Sequence, residues 1–380
     1  MRVVLVSNFL NHFTFPLCES LASSVDDFRF VATAKPSQMA FRQELSAEYV
    51  LHVSGEKDVA KALQFVSEAD VAIFGDGGWA FMEERMYHNK LSFLFSERLF
   101  KRGTWRRFIP TTWYRLYRRF LRYKKRELYV LCASAYLPYD LSLLGFPAEK
   151  CFRWGYFPFV KKYGDIDGLF AAKHKMHFIW VGRLIPLKHP ELAISLVDEL
   201  VKSGYDVHLD IVGKGPMEGL LNEKIQSCGL SGKVSLLGGK TLDEVRGYME
   251  QSTFFLFTSD FNEGWGAVVN EAMNSGCVVL GSHAAGSVPF LIRHKMNGML
   301  FKSEDVNSLF NAAVSLLQSP EKCEQLRRQA YQDIQEMWNA SQATERLLEL
   351  CRHLLEHQPS PYSIGPCSQA ECLANDWFTE

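Results

Sequence analysis

An α/β fold of two doubly wound domains, each on a parallel sheet, is predicted by three features. Short apolar runs alternate with helical patterns along most of the chain. At 380 residues the chain exceeds what one core comfortably holds. In the second half, glycine-bearing turns link strands to the helices that follow. A hydrophobic content of 47% with 22% charged residues excludes global disorder. A formal net charge of −1 argues against a general nucleic-acid binder.

In the first half, strands are expected at 2–7, 28–33, 70–74, 91–95 and 128–132, with helices at 57–67 and 134–144 between them. The run 3–6 ends at Ser7 and Asn8, so it is a first strand and is too short for a signal peptide. In the second half, strand 178–182 precedes a helix whose Leu192, Leu196, Val197, Leu200 and Val201 share one face. Strand 207–212, helix 216–228, strand 233–237, helix 241–250, strand 253–258, helix 265–275 and strand 277–280 continue the alternation. Right-handed crossovers then cover both faces of a parallel sheet. Domains are expected at 1–160 and 173–340, joined near 155–172, with helices at 304–318 and 321–336 and a closing helix at 341–357. The segment 358–380, broken by Pro359, Pro361, Gly365 and Pro366, is expected to be disordered. Ligands of such sheets bind beyond the carboxyl ends of the strands, which makes a cleft between facing domains the expected site.

Nine cysteines stand singly, without a CxxC or Cys/His cluster, so they read as small buried hydrophobes of a reducing compartment. No apolar stretch reaches membrane-spanning length. A cytoplasmic protein is the expectation.

Three features of the second half converge on one chemistry. Gly182 and Arg183 follow a strand, and Lys188 opens the next helix five residues beyond the arginine. Cations at a strand end beside a helix start suit a diphosphate. Gly213, Lys214, Gly215 and Pro216 form a second turn of this kind, where glycines let a ligand approach the backbone. Glu263, Gly264, Trp265 and Gly266 precede a helix carrying Glu271 among Val268, Val269, Ala272 and Met273. A loop carboxylate at Glu263 can meet sugar hydroxyls, and Glu271 can accept from both hydroxyls of a ribose.

As a set these residues, with Gly286 and Asn297-Gly298, resemble the donor domain of the retaining GT-B-fold glycosyltransferases of family four. Ser7-Asn8 with Asn11-His12, and the segment 154–158 (WGYFP), extend the similarity toward capsule, exopolysaccharide and lipopolysaccharide transferases. The resemblance implies that Arg183 and Lys188 neutralise the leaving diphosphate, Glu263 holds the hexose and Glu271 the ribose. The turns at 213–216 and 237–239, including Leu237, would flank the base. No cofactor and no metal is implied, and Asp165-Ile166-Asp167 reads as an incidental triplet in the linker. The chain departs from the family in two places. The loop 8–13 lacks glycine, so Asn11 or His12 would replace backbone contact with the diphosphate. Glu97 stands where many members have a histidine, in a polar role toward donor or acceptor.

Residues 101–126 hold eleven Lys or Arg and no acid, interleaved with Trp105, Phe108, Trp113, Tyr114, Tyr117, Phe120 and Tyr123. The pattern fits an anionic membrane surface or a lipid-linked acceptor, and equally a surface helix with its apolar face inward. No RNA- or DNA-binding motif accompanies it. The expected partners are therefore a nucleoside-diphosphate sugar, a saccharide or lipid-linked acceptor and the inner face of the cell membrane, with no nucleic acid. A nucleotide-sugar epimerase and an inactive sugar-nucleotide-binding scaffold are the competing functions.

Overall fold

The computed structural model describes residues 1–34, 45 and 47–379. They form two compact units, Met1–Phe159 with Met337–Ala374, and Val160–Glu336 with the last residues from Asn375.

Unit 1 contains β1 (Arg2–Ser7), α1 (Phe15–Ser24), β2 (Asp27–Ala32), β3 (Val50–His52), α2 (Glu56–Glu68), β4 (Val71–Phe74), α3 (Met82–Tyr87), β5 (Ser92–Ser96), α4 (Pro110–Arg119), β6 (Leu128–Cys132), α5 (Leu137–Ser142) and β7 (Cys151–Arg153). Unit 2 contains α6 (Ile166–Ala171), β8 (His174–Val181), α7 (Pro190–Lys202), β9 (His208–Val212), α8 (Glu218–Ser227), β10 (Val234–Gly238), α9 (Leu242–Gln251), β11 (Ser252–Phe257), α10 (Val268–Asn274), β12 (Val278–Ser282), α11 (Val288–Leu291), β13 (Met299–Phe301), α12 (Val306–Leu317) and α13 (Pro320–Glu336). The last helix, α14 (Ala340–Leu355), returns to unit 1 and packs on α1.

Both sheets are wholly parallel. Their orders are β3-β2-β1-β4-β5-β6-β7 and β10-β9-β8-β11-β12-β13. Strands covered on both faces need continuous apolar runs, and β4 and β11 are buried at every position. The strand order reverses between β1 and β4 in unit 1, and between β8 and β11 in unit 2. Beyond the carboxyl ends of such neighbours the following loops diverge and leave a crevice.

Local signals explain several elements. Glu244 and Thr241 cap α9 reciprocally, with Thr241 N–H donating to the Glu244 carboxylate at 2.8 Å and Glu244 N–H to Thr241 Oγ1 at 3.3 Å. In unit 1 the buried Arg85 guanidinium donates to the carbonyls of Val66, Ala69, Asp70 and Leu91 at 2.7–2.8 Å and to Ser92 Oγ at 3.0 Å. It satisfies the carbonyls around β4 and β5 that the sheet leaves open.

Two expectations are corrected. The segment from Gln358 is irregular but packed. Cys367 N–H donates to Arg153 O, Arg153 N–H to Ser368 O and Ala370 N–H to Cys151 O, at 2.7–2.9 Å, so this segment covers the free edge of β7. Trp377 and Phe378 lie with ring centroids 6.4 and 5.6 Å from His283. The helix expected at 134–144 is only α5, because Gly145 adopts a positive φ just beyond it. Within residues 101–126 the helix is α4, flanked by short 3₁₀ turns at Thr104–Phe108 and Leu121–Tyr123.

Candidate active site

In unit 2, the turns after β8, β9 and β10 interlock through their backbones. Gly182 N–H donates to Val212 O at 3.0 Å, Leu184 N–H to Lys214 O at 3.0 Å, and Gly213 N–H to Gly238 O at 2.9 Å. Gly213 has φ +152, and a Cβ on it would lie 1.8 Å from the Gly182 carbonyl oxygen, so only glycine closes this contact. Gly215 packs on the Leu184 backbone, followed by Pro216, and Leu237 lies in β10 beside the same cluster. The turns read from the sequence at 213–216 and 237–239 are therefore one joined backbone platform.

Lys188 and Glu263 meet across the β8/β11 reversal. The Lys188 ammonium donates to Glu263 Oε2, which also accepts from Ser259 Oγ at 3.2 Å. Thr258, directly after β11, accepts from the Trp180 indole N–H at 2.9 Å and donates to the Lys188 carbonyl at 2.6 Å. This fixes the turn that carries Lys188. Arg183 is exposed, with no ion pair among the described residues. Gly266 opens the approach to α10 at φ +83, where a Cβ would stand 2.1 Å from the Phe257 ring. Gly264 is buried. Trp265, expected to contact substrate, is 1% exposed, with its indole N–H held by Asn270 Oδ1 at 3.0 Å. Its side chain belongs to the core.

Glu271 lies on the first turn of α10 and is mostly enclosed. Burial pushes its carboxyl up to about 7, against a partial pull downward from Arg246. Two residues not singled out from the sequence brace the site. His189 takes a left-handed conformation (φ 45) at the N-cap of α7. Its ring stands 3.4 Å from Asp260 Oδ2 and 2.9 Å from Glu191 Oε1, and these hydrogen bonds raise its pKa to about 10. Asp260 N–H also donates to Leu187 O at 3.0 Å, which ties the loop before Glu263 to the turn of Lys188. A non-glycine residue in that conformation carries no sequence signature, and its carboxylate partners are distant in the chain. Of the incidental triplet, Asp165 caps α6 by accepting from Gly168 N–H at 2.8 Å, and Asp167 pairs with Arg328 at 2.6 Å.

The sequence-selected residues of unit 1 separate. Asn11 Oδ1 accepts from the backbone N–H of Phe13 at 2.9 Å and of Thr14 at 3.1 Å, so it shapes the entry to α1. Asn11 and Glu97 both line a cavity of about 560 Å³ beyond β1, β4 and β5. His12 is exposed and is not among the residues lining that cavity. Glu97 accepts from Lys101 Nζ at 2.5 Å and from Tyr156 OH at 3.3 Å. The loop bearing it is anchored by buried Asp140, which accepts from Leu99 and Phe100 N–H at 2.8 and 3.0 Å and pairs with Arg98 at 3.2 Å. The same cavity is lined by Asp76 and by Tyr114, Arg115, Arg118 and Arg119, four residues that the sequence placed in a basic stretch without showing which way they face.

Residues 166–333 match the family model described as glycosyl transferases group 1. The amylovoran biosynthesis glycosyltransferase AmsK of Erwinia amylovora is 30% identical over 180 residues, 45% of this chain and 43% of that protein. The GDP-mannose-dependent alpha-(1-6)-phosphatidylinositol monomannoside mannosyltransferase of Mycobacterium tuberculosis is 24% identical over 145 residues, 37% of each chain. The chain thus spans less than half the length of these curated relatives. The crystal structure of Anabaena Alr3699/HepE in complex with UDP superposes with a TM-score of 0.68 at 17% identity, covering 92% of this chain and 99% of that one. Two parallel sheets of seven and six strands and this likeness establish the GT-B fold. Residues 166–333 thus carry the match to the glycosyl transferases group 1 model, in a chain of GT-B fold.

Proposed function

We propose that the protein is a retaining glycosyltransferase of family four. It would move a hexose from a nucleoside-diphosphate sugar to a saccharide acceptor, lipid-linked, in surface polysaccharide biosynthesis. The observation that carries this reading is the pairing of Lys188 with Glu263 beside the joined turns of Gly182, Gly213 and Gly238. Breaking a glycosyl phosphate develops negative charge on the departing diphosphate. A cation held in place before the reaction stabilises that charge without reorganisation. Lys188 supplies it, with the exposed Arg183 as the second cation. Glu263 holds Lys188 until substrate enters and then faces the hexose hydroxyls. Glu271 accepts from the ribose. Asn11 or His12 would replace backbone contact with the diphosphate, and Glu97 would take a polar role toward donor or acceptor. The UDP held by the Anabaena neighbour and the GDP-mannose named for the mycobacterial relative support a sugar-nucleotide donor here.

The exposed rings of Trp105, Phe108 and Trp113, interleaved with arginines, suit peripheral contact with an anionic bilayer, where a lipid-linked acceptor resides. Among the described residues no helix is long and apolar enough to cross a membrane.

The test is a thermal-shift and donor-hydrolysis screen against a panel of nucleotide sugars. One sugar nucleotide should raise the melting temperature and be hydrolysed slowly to its nucleoside diphosphate. A panel without a stabilising member, at concentrations that saturate known transferases, would refute the reading.

A further inference from the structure

The cations lining the unit 1 cavity divide into those the fold already satisfies and those it leaves waiting. Arg98 is paired with Asp140, and Lys101 with Glu97. Arg119 is different. Its Nε and Nη2 atoms are buried and have no hydrogen-bond acceptor among the described residues. The nearest carboxylate, Asp76, stands 3.9 Å from Nη2 with a side chain 81% exposed. The Phe120 ring, 5.3 Å from the guanidinium carbon, offers only weak compensation. Arg115 and Arg118 line the same cavity, so three guanidinium groups face one loosely held carboxylate.

Arg85 shows how this unit treats an arginine it needs for structure, with a buried guanidinium and an acceptor at each nitrogen. Arg119 has no such role. Leu116 and Phe120 on the same segment already supply its buried contacts. Two buried guanidinium nitrogens without acceptors are a net cost to the folded state, because their lost hydration is not replaced. Burial pulls its pKa below the ordinary arginine value, and neighbouring Arg115 adds to that against a partial pull back from Asp76. An anion entering the cavity would relieve both effects.

We propose that Arg119, with Arg115 and Arg118 beside it, forms a phosphate-binding site in the unit 1 cavity, so that the saccharide acceptor carries a phosphate or diphosphate group. This rests on the transferase reading for the word acceptor, but the site itself does not. Several planar donor forks match a multiply charged tetrahedral anion better than a single carboxylate. A cavity of about 560 Å³ has room for a sugar phosphate.

The full chain carrying Arg183→Gln and Lys188→Ala, which removes the donor-side cations, is titrated calorimetrically with inorganic pyrophosphate. One saturable site is expected, weakened about tenfold or more by adding Arg119→Gln, the loss of one charged hydrogen bond. The ligand-free melting temperature of Arg119→Gln should hold or rise, whereas a structural arginine would lower it. No pyrophosphate binding, or equal affinity with and without Arg119→Gln, overturns the proposal. Should Arg119→Gln fail to fold, the exposed pair Arg115→Gln/Arg118→Gln must show the same loss. Phosphatidylcholine vesicles doped with farnesyl diphosphate separate the sources. Capture of these vesicles beyond phosphatidylglycerol vesicles of equal charge, competed by pyrophosphate, identifies a lipid diphosphate. Binding of free pyrophosphate alone identifies a soluble sugar phosphate, and either result upholds the site. Phosphate binding without any sugar-nucleotide turnover would sink the transferase reading and leave the site standing.

Discussion

The two candidate regions are built in opposite ways. In unit 2 the polar groups around Lys188 are paired with one another. Glu263 and Ser259 hold the cation side, Thr258 holds the turn, and the backbone of Gly182, Gly213 and Gly238 closes on itself. In unit 1 the cavity is framed by well-satisfied groups such as Asp140, yet Arg119 Nε and Nη2 have no hydrogen-bond acceptor among the described residues. A paired site is rigid before substrate arrives, which suits a region whose work is to stabilise developing charge. An unpaired one carries a standing electrostatic cost that a ligand relieves. The difference assigns preorganisation to one region and recognition to the other.

The largest test of the comparison is Gly213→Ala, whose added Cβ would meet the Gly182 carbonyl at 1.8 Å. Melting temperature and donor hydrolysis should both fall steeply, with a destabilisation of at least about 2 kcal/mol. Gly219→Ala, on α8 with nothing near the new methyl, should be neutral or slightly stabilising. Equal behaviour of the two variants would remove the platform from the argument.

Next in size, Lys188→Ala and Glu263→Gln should each slow turnover by about tenfold or more with little change in melting temperature, since each removes one charge-stabilising contact. Native rates with the true donor would break the assignment.

Replacing Trp105, Phe108 and Trp113 by Ser should weaken binding to phosphatidylglycerol vesicles severalfold and leave donor hydrolysis in solution unchanged. Binding of the parent protein should also fade with salt, over a Debye length of about 8 Å at physiological ionic strength. Undiminished vesicle binding by the variant would make those rings ordinary surface.

The smallest effect concerns Glu271. Its folded carboxyl, raised to about 7 from an ordinary 4.5, holds its proton more tightly than in the unfolded chain. The associated stability is fully present below pH 4.5 and is lost as pH rises through about 7. Glu271→Gln should therefore flatten the pH dependence of melting across that window and raise stability at pH 8. Nucleotide affinity should drop in the same variant, because a carboxylate acceptor for the ribose is gone. Unchanged nucleotide binding would contradict that role.

Much of this contrast follows from what a sequence can display. Gly182, Gly213 and Gly215 are legible because close backbone approach leaves glycine as the residue that fits, and strands covered on both faces show as apolar runs. The strands β3 and β7, each three residues long, are too short to give a periodic signal. A motif gives order along the chain and not side-chain direction, so the inward turn of the Trp265 indole to Asn270 does not show in it. The segment beyond Gln358 packs through scattered residues such as Cys367 and Ala370, whose burial follows no helix or strand period. The split of residues 101–126 into cavity-lining arginines and outward rings depends on where α4 begins and ends, which the composition of the stretch conceals.

The return of residues 337–374 to unit 1, and the onward passage of the final residues to unit 2, gives the polypeptide three crossings between its units. Neither unit is one uninterrupted stretch of chain. Cutting after Glu336 would strip α1 of its partner α14 and bare the β7 edge, leaving unit 1 open along two surfaces at once. Trimming only the final residues would spare unit 1 but take Trp377 and Phe378 from the rings of His283 and His294 in unit 2. Trp377 and Phe378 thus belong to the packing of the unit that carries Lys188 and Glu263.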